Sequence, residues 1–170
     1  ELAPMVQAAA DRGPVDDSMC TGDFPGPAQE AFGRMVATQM GYDFDAGRLD
    51  ESTHPFTTGF GPHDVRITWR WSPDDFRPGL FGVMHEAGHA LYEQGLPVAW
   101  ENTPIGGAVS LGVHESQSRL WENQVGRSRA FWEWALPRFV EHFPAAAGLT
   151  VEQLVPALHG VRPSLIRVEA

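Results

Sequence analysis

Cysteine, basic residues and long apolar runs are all scarce in this sequence of 170 residues. Its one cysteine, Cys20, excludes an internal disulfide and is typical of a reducing compartment, so we predict a cytoplasmic location. No apolar run approaches the roughly 20 residues that cross a membrane, and no signal peptide is recognisable at the start. A formal net charge of −10 argues against nucleic acids and membranes as partners.

The length and composition fit one domain over residues 1–170, with 42% hydrophobic and 20% charged residues. Both ends of the sequence interrupt a helical pattern. The chain opens at Glu1 within a helix-like segment, and residues 163–170 form another helix-like run without a glycine or proline stop. We therefore expect a single-domain core that is truncated at both ends relative to a longer polypeptide.

The secondary structure expected from the sequence is mainly helical. Four apolar residues alternate with polar ones between Val65 and Trp71, which predicts a strand over about residues 65–71. Residues 43–63 are expected to be irregular, because they contain several turn signals. Apolar spacing, capping residues and stop signals predict helices over about residues 1–10, 28–40, 73–94, 110–125, 128–142 and 150–160.

The fold class expected from these elements is mainly α, with a bundle-like helical core and one small β element. The small β element at residues 65–71 is expected to lie beside the helix over residues 73–94, which carries the candidate active site.

An HExxH pattern occupies residues 85–89, well inside a predicted helix. Residues four apart lie on one face of a helix, so the imidazoles of His85 and His89 can bind a single ion. Glu86 is placed to reach a water molecule on that ion. Apolar residues flank the motif, which argues against a helix that merely exposes two histidines. Ala87 and Gly88 are small and allow another group to approach this part of the helix closely.

Glu115, in the segment His114-Glu115-Ser116-Gln117 of the next predicted helix, supplies a third protein ligand. Two histidines and a carboxylate with a fourth position open to water are typical of a catalytic zinc site. Co²⁺ or Mn²⁺ can substitute for Zn²⁺, because these ligands do not select strongly. In the mechanism that follows, Glu86 takes a proton from the attacking water and passes it to the leaving amine.

The side chains that orient the two imidazoles are less well defined by the sequence. Asp64 and Glu93 are candidates, and Glu93 lies four residues beyond His89 on the same helix. An exposed helix charge is the alternative for Glu93. The side chain of His114 points about 100° away from that of Glu115. It either lines the cleft and donates a hydrogen bond to substrate, or it is a packed structural histidine.

Five short motifs occur in order along the sequence. They are HPF at residues 54–56, DxRxT at 64–68, HExxH at 85–89, HES(G)Q at 114–117 and the start of IRxxAD at 166–170. In this combination the chain resembles the carboxypeptidase Taq family of metallocarboxypeptidases. The resemblance covers essentially the whole chain, but the final Asp of IRxxAD and the family's later GxxQDxHW motif are missing.

The resemblance implies an activity and a set of roles. Members of the family remove single residues from peptide C-termini, are mostly helical with a small sheet beside a long groove, and usually dimerise. By matching positions, His85, His89 and Glu115 are implied as metal ligands and Glu86 as the general base. Arg167 is implied in recognition of the substrate's terminal carboxylate, to which a guanidinium can donate two parallel hydrogen bonds.

The remaining motif positions are expected to shape the cleft next to the metal. Arg66 and Thr68 are candidates for substrate contact, with the polar face of a strand as the alternative. His54, Asp64 and Gln117 are expected in the cleft or around the metal ligands.

The leading hypothesis is a metal-dependent carboxypeptidase that acts on peptides with a free C-terminus and forms homodimers or another self-associated state. A zinc aminopeptidase or endopeptidase is the alternative with the same chemistry at the metal. A third hypothesis is a catalytically impaired metal-binding or assembly module, because the chain is short. A helical interaction domain without metal is the remaining one.

Overall fold

The computed structural model describes residues 2–160, and this part of the chain is mainly helical with one small sheet. None of its helices has the length and apolar character needed to cross a membrane. The expected fold class is confirmed, whereas Arg167 and the helix-like run at residues 163–170 lie outside the described residues. The elements are α1 (Ala3–Ala10), α2 (Gly26–Met40), β1 (Leu49–Glu51), β2 (Thr57–Gly59), β3 (Val65–Trp69), α3 (Phe76–Gln94), α4 (Leu111–Arg119), α5 (Arg129–His142) and α6 (Val151–Leu158).

Helix α3 lies at the centre of the fold and packs against α2, α4 and β3. On one side, its small residues Ala87 and Ala90 join a buried cluster with Val65 and Ile67 of the sheet. On the other side, Phe76 and the following apolar residues join a largely aromatic cluster with α2, α5 and α6. Because α3 is buried on both sides, the residues it carries stand on a rigid support.

Helix α3 begins at Phe76, three residues later than the predicted start. The side chain of Asp75 accepts a hydrogen bond from the backbone N–H of Arg77 and so caps the helix. The two carbonyls before Asp75 accept hydrogen bonds from the backbone of Gly22 and Phe24 at 3.0 and 2.8 Å. Those carbonyls are therefore used in a tertiary contact and cannot begin the helical ladder.

The sheet has the strand order β1-β3-β2, with β1 parallel and β2 antiparallel to β3. The predicted strand is confirmed but ends at Trp69 rather than at Trp71. Strands β1 and β2 lie in the segment predicted to be irregular, and that prediction was wrong there. Each has only three residues, too few to show alternation, and each becomes a strand because β3 supplies its backbone partners.

The helix predicted over residues 110–125 is continuous but changes its winding. Ser110 caps α4 by accepting a hydrogen bond from the backbone N–H of Val113. After Arg119 the chain continues as a π-helix, Leu120–Val125. Helical turns of this wider kind are rare and occur frequently at functional sites.

Local capping groups mark the ends of α2, α5 and α6. Ser128 caps α5, and Thr150 and Gln153 form the capping box of α6. Gly41 ends α2 with a φ of 105°, a left-handed conformation that glycine adopts without strain.

Helices α3 and α4 cross backbone to backbone at Gly88. A Cβ atom added at this position would lie 2.7 Å from Cα of Ser118 and 2.9 Å from the carbonyl oxygen of Gln117. Both contacts are shorter than van der Waals packing allows, and both involve backbone that cannot move aside like a side chain. Glycine at position 88 therefore sets how closely α4 approaches α3.

This crossing predicts opposite effects for two glycine-to-alanine substitutions on α3. Gly88→Ala is expected to destabilise the chain by about 1–3 kcal/mol, because the methyl group overpacks the crossing. Gly82→Ala is the matched control, because a Cβ there meets nothing within 4 Å and alanine favours a helix by about 1 kcal/mol over glycine. Urea unfolding measures both free energies. Equal stability of the two variants would contradict the backbone crossing.

Candidate metal centre

The crossing of α3 and α4 brings His85, His89 and Glu115 together. One ligand atom from each of the three lies within 4.8 Å of the others. Oε2 of Glu115 is 3.2 Å from Nε2 of His89 and 3.7 Å from Nε2 of His85. Two donors bound to one tetrahedral ion at about 2.1 Å lie about 3.4 Å apart. The two nitrogens and the oxygen therefore fit a common metal ion.

The outer side of His85 is held by Glu122, a residue that the sequence analysis missed. Nδ1 of His85 lies 2.8 Å from Oε2 of Glu122, which is in the π-helical segment after α4. When Nδ1–H donates to this carboxylate, the lone pair on Nε2 remains free for a metal. A signal was present in the sequence, because Glu122 follows Glu115 by seven residues, two helical turns on the same face.

The outer side of His89 is held by a relay of two groups. Nδ1 of His89 lies 2.5 Å from Nδ1 of His114, and Nε2 of His114 lies 2.7 Å from Oε1 of Glu93. All partners are satisfied when His114 donates from Nε2 to Glu93 and accepts the proton of His89 Nδ1. Both ring nitrogens of His114 are then engaged, so contact with substrate would require one of these hydrogen bonds to break.

In the described residues, the hydrogen bonds that orient His85 and His89 come from Glu122 and His114, and an orienting role for Asp64 stays a prediction. Asp64 accepts two hydrogen bonds, of 2.8 and 2.7 Å, from the guanidinium of Arg66. Both side chains of this ion pair are nearly half exposed.

The charge states of His89 and Glu115 suit metal binding at neutral pH. Burial lowers the pKa of His89 to about 4, with further lowering by nearby His85 and His114, so its imidazole is neutral. Burial alone would raise the pKa of Glu115. The hydrogen bond from Arg119 and the nearby His85 outweigh that effect, and the pKa is lowered overall. The carboxylate is therefore ionised, as a ligand must be.

Glu86 is buried beside these ligands and is held by Thr57 of β2. The hydroxyl of Thr57 lies 2.6 Å from Oε2 of Glu86 and 3.0 Å from its backbone carbonyl oxygen. Glu86 is 7% exposed, and burial raises the pKa of its carboxyl group despite the hydrogen bond from Thr57. A carboxylate in such a place binds a proton more readily than one in water.

The HPF and DxRxT motifs meet through Thr68. Oγ1 of this buried residue accepts hydrogen bonds from the hydroxyl of Ser52 at 2.7 Å and from the backbone N–H of Phe56 at 2.9 Å. Thr68 thereby holds the loop that carries His54. His54 acts electrostatically on the carboxyl group of Glu86, which places this histidine near the centre. Substrate contact by Thr68 stays a prediction.

Gln117 lies on α4, and its carbonyl oxygen forms part of the crossing at Gly88. Arg66 lies on the outer face of β3, where its guanidinium stacks 5.2 Å from the ring centroid of Phe60. Its predicted contact with substrate is not tested by this placement.

The sequence of the chain matches a family of known proteins. The model of the carboxypeptidase Taq (M32) metallopeptidases matches residues 1–170. The chain belongs to this family. The membership implies a divalent metal, which the His85–His89–Glu115 triad fits.

Relatives of this M32 chain include named carboxypeptidases. The chain is 53% identical over 155 residues to thermostable carboxypeptidase 1 of Thermus thermophilus. This alignment covers 91% of this chain and 30% of that protein. It is 40% identical over 171 residues to carboxypeptidase 1 of Bacillus subtilis, covering 99% of this chain and 34% of that protein. The chain therefore spans about a third of the length of these relatives.

Solved structures of M32 proteins share the fold. The M32 carboxypeptidase from Deinococcus radiodurans R1 matches with a TM-score of 0.93 and 48% identity, covering 99% of this chain and 34% of that chain. Metallocarboxypeptidase 1 of Trypanosoma cruzi matches with a TM-score of 0.89 and 40% identity, covering 99% and 36%.

The contact between Glu122 and His85 predicts a loss of metal affinity when it is removed. Glu122→Ala is expected to weaken zinc binding about 10–100-fold, because His85 loses the acceptor that fixes its tautomer and ring orientation. Competition with a chelator of known affinity measures this change. Glu133→Ala, which alters an exposed glutamate of α5, is the control and should bind zinc like the unmodified chain. Equal affinities of the two variants would remove the orienting role from Glu122.

Proposed function

We propose that this chain provides the metal centre of a zinc carboxypeptidase, which removes single residues from the C-terminus of peptides. The observation that carries the proposal is the cluster of two histidines and Glu115 beside the buried Glu86, in a member of the M32 family. Because the chain spans about a third of its relatives, the activity, substrate and partners of the whole protein all belong to this proposal.

His85, His89 and Glu115 are proposed as the ligands of Zn²⁺, with Co²⁺ or Mn²⁺ as possible substitutes. Neutral imidazoles and one carboxylate suit these ions and do not select strongly among them. A bound ion would lower the pKa of water and polarise the carbonyl of the scissile bond. With three protein ligands, the site keeps room for water and substrate.

Glu86 is proposed as the general base. Its carboxylate takes a proton from the attacking water and then delivers that proton to the leaving amine. Burial supports this role, because it raises the pKa of the carboxyl group and so strengthens the carboxylate as a proton acceptor.

The free carboxylate of the substrate is proposed to be bound by arginine. Arg167 is assigned this role from its motif position, outside the described residues, and Arg66 is a second candidate. A guanidinium forms two parallel hydrogen bonds with a carboxylate, which accounts for a requirement for a free C-terminus.

Self-association and a cytoplasmic location complete the proposal. Large apolar side chains between residues 98 and 113 are exposed, which supports a homodimer or another protein contact. The single cysteine, Cys20, is buried as a free thiol, which supports a reducing compartment. The exposed apolar residues are Val98, Trp100, Ile105, Val109, Leu111 and Val113.

A pair of peptides tests the proposed activity of the full-length protein that carries this chain. A peptide with a free C-terminus is expected to lose single residues from that end, and its C-terminally amidated version is expected to stay intact. Product masses distinguish the two, and a chelator should abolish the activity. Equal cleavage of both peptides would point instead to an aminopeptidase or endopeptidase.

Glu86→Gln tests the base in the same assay. It is expected to retain zinc and to lose activity by about 10²–10⁴-fold. Zinc binding without hydrolysis by the unmodified protein would support a metal-binding module instead.

The contact between Thr57 and Glu86 predicts a selective loss of turnover. Thr57→Val is expected to lower kcat by about 10–100-fold, because a hydrogen bond to a charged group contributes about 1.5–3 kcal/mol. Zinc content and KM should stay unchanged, and Thr57→Ser should restore most of the rate. Thr58→Val is the control, since adjacent strand residues point to opposite faces. A rate for Thr57→Val equal to that of the control would exclude the positioning of Glu86 by this hydroxyl.

A further inference from the structure

One guanidinium contacts two carboxylates at the edge of the metal centre. Nε of Arg119 donates a hydrogen bond of 2.8 Å to Oε1 of Glu115, and its Nη1 donates one of 3.0 Å to Oε2 of Glu122. Arg119 is the last residue of α4, and Glu122 lies in the π-helical segment that follows. Arg119 thus links α4, through Glu115, to the π-helical segment, through Glu122.

The two carboxylates serve the centre in different ways. Glu115 presents Oε2 to the histidines, at 3.7 Å from Nε2 of His85. Glu122 presents its Oε2 to Nδ1 on the other side of the same ring, at 2.8 Å. Arg119 therefore closes a ring of contacts that runs from His85 through Glu122 and Arg119 to Glu115 and back to His85.

This ring restricts how Glu115 can bind an ion. Its Oε1 is held by Arg119, and its Oε2 is the oxygen that lies near both histidine nitrogens and 3.1 Å from the hydroxyl of Ser118. To bind through both oxygens, the carboxylate would have to turn Oε1 toward the ion and away from the position in which Arg119 now holds it. That second oxygen would occupy a coordination position otherwise open to water or substrate.

We propose that Arg119 is a positioning residue that keeps Glu115 a ligand through one oxygen only. Arg119 thereby preserves an open coordination position at the metal. This inference rests on the proposed metal site formed by Glu115 and the two histidines.

A purely structural role accounts poorly for Arg119. Its side chain is 53% exposed, and exposed ion pairs contribute little to the stability of a fold. Arg129 on α5 has nearly the same exposure, 52%, and makes a similar 2.7 Å ion pair with Glu152 away from the centre. The two arginines differ in what they hold, because only Arg119 contacts a metal-ligand candidate.

The test loads the chain with Co²⁺ in place of zinc and records its visible absorption, which weakens as the coordination number rises from four to five. Arg119→Met is expected to absorb more weakly than the unmodified chain, because Glu115 now binds through both oxygens. X-ray absorption of the zinc-loaded variant is expected to show one additional oxygen donor. Arg119→Gln should give the same change, and Arg129→Met should leave both spectra unchanged.

The outcomes separate this inference from the proposed metal site. If the unmodified chain binds no Co²⁺, the metal site itself is wrong, and the inference is overturned with it. If the chain binds Co²⁺ and neither Arg119 variant differs from Arg129→Met, the metal site stands and the role of Arg119 is overturned. A five-coordinate spectrum of the unmodified chain, with both oxygens of Glu115 bound, would equally overturn it.

Discussion

The metal centre depends on the close crossing of α3 and α4 at Gly88. Two helices that meet through side chains lie about 8–10 Å apart. Here a single added Cβ would already lie 2.7 Å from Cα of Ser118. This approach brings Glu115 within 3.2 Å of Nε2 of His89, although the two belong to different helices. Because this distance is set by backbone packing, the donor atoms are placed before any ion arrives.

Around this crossing, each imidazole has one nitrogen committed to the protein and one left free. Glu122 takes Nδ1 of His85, and His114 takes Nδ1 of His89. Such outer hydrogen bonds select the tautomer that presents Nε2 to a metal and hold the ring in place. They also allow buried polar groups to exist without an energetic penalty for missing partners. The polar network is thus as much a part of the site as the three ligand candidates.

The two faces of α3 have different roles, one in packing and one at the site. The aromatic cluster on one face holds the helix through contacts such as that between Phe76 and Phe139, whose ring centroids are 4.8 Å apart. The sheet on the other face places the hydroxyl of Thr57 within hydrogen-bond distance of the Glu86 carboxylate. Burial between these layers removes water from Glu86 and raises the pKa of its carboxyl group. The small sheet therefore contributes to the chemistry of the site as well as to the core.

The sequence by itself determined the helical framework and the choice of the four residues proposed for the centre of the site. Helix caps such as Ser110 and Thr150 bond to near neighbours, and the HExxH spacing follows the helical repeat, so a local pattern reveals both. Only the tertiary structure decided the later start of α3, the two short strands and the partners of the site. Glu122 and His85 are 37 residues apart, and Thr57 and Glu86 are 29 apart. Such contacts arise from how elements pack together. Residue periodicity shows which residues share a face of one element, but it does not show which residues of another element that face will meet.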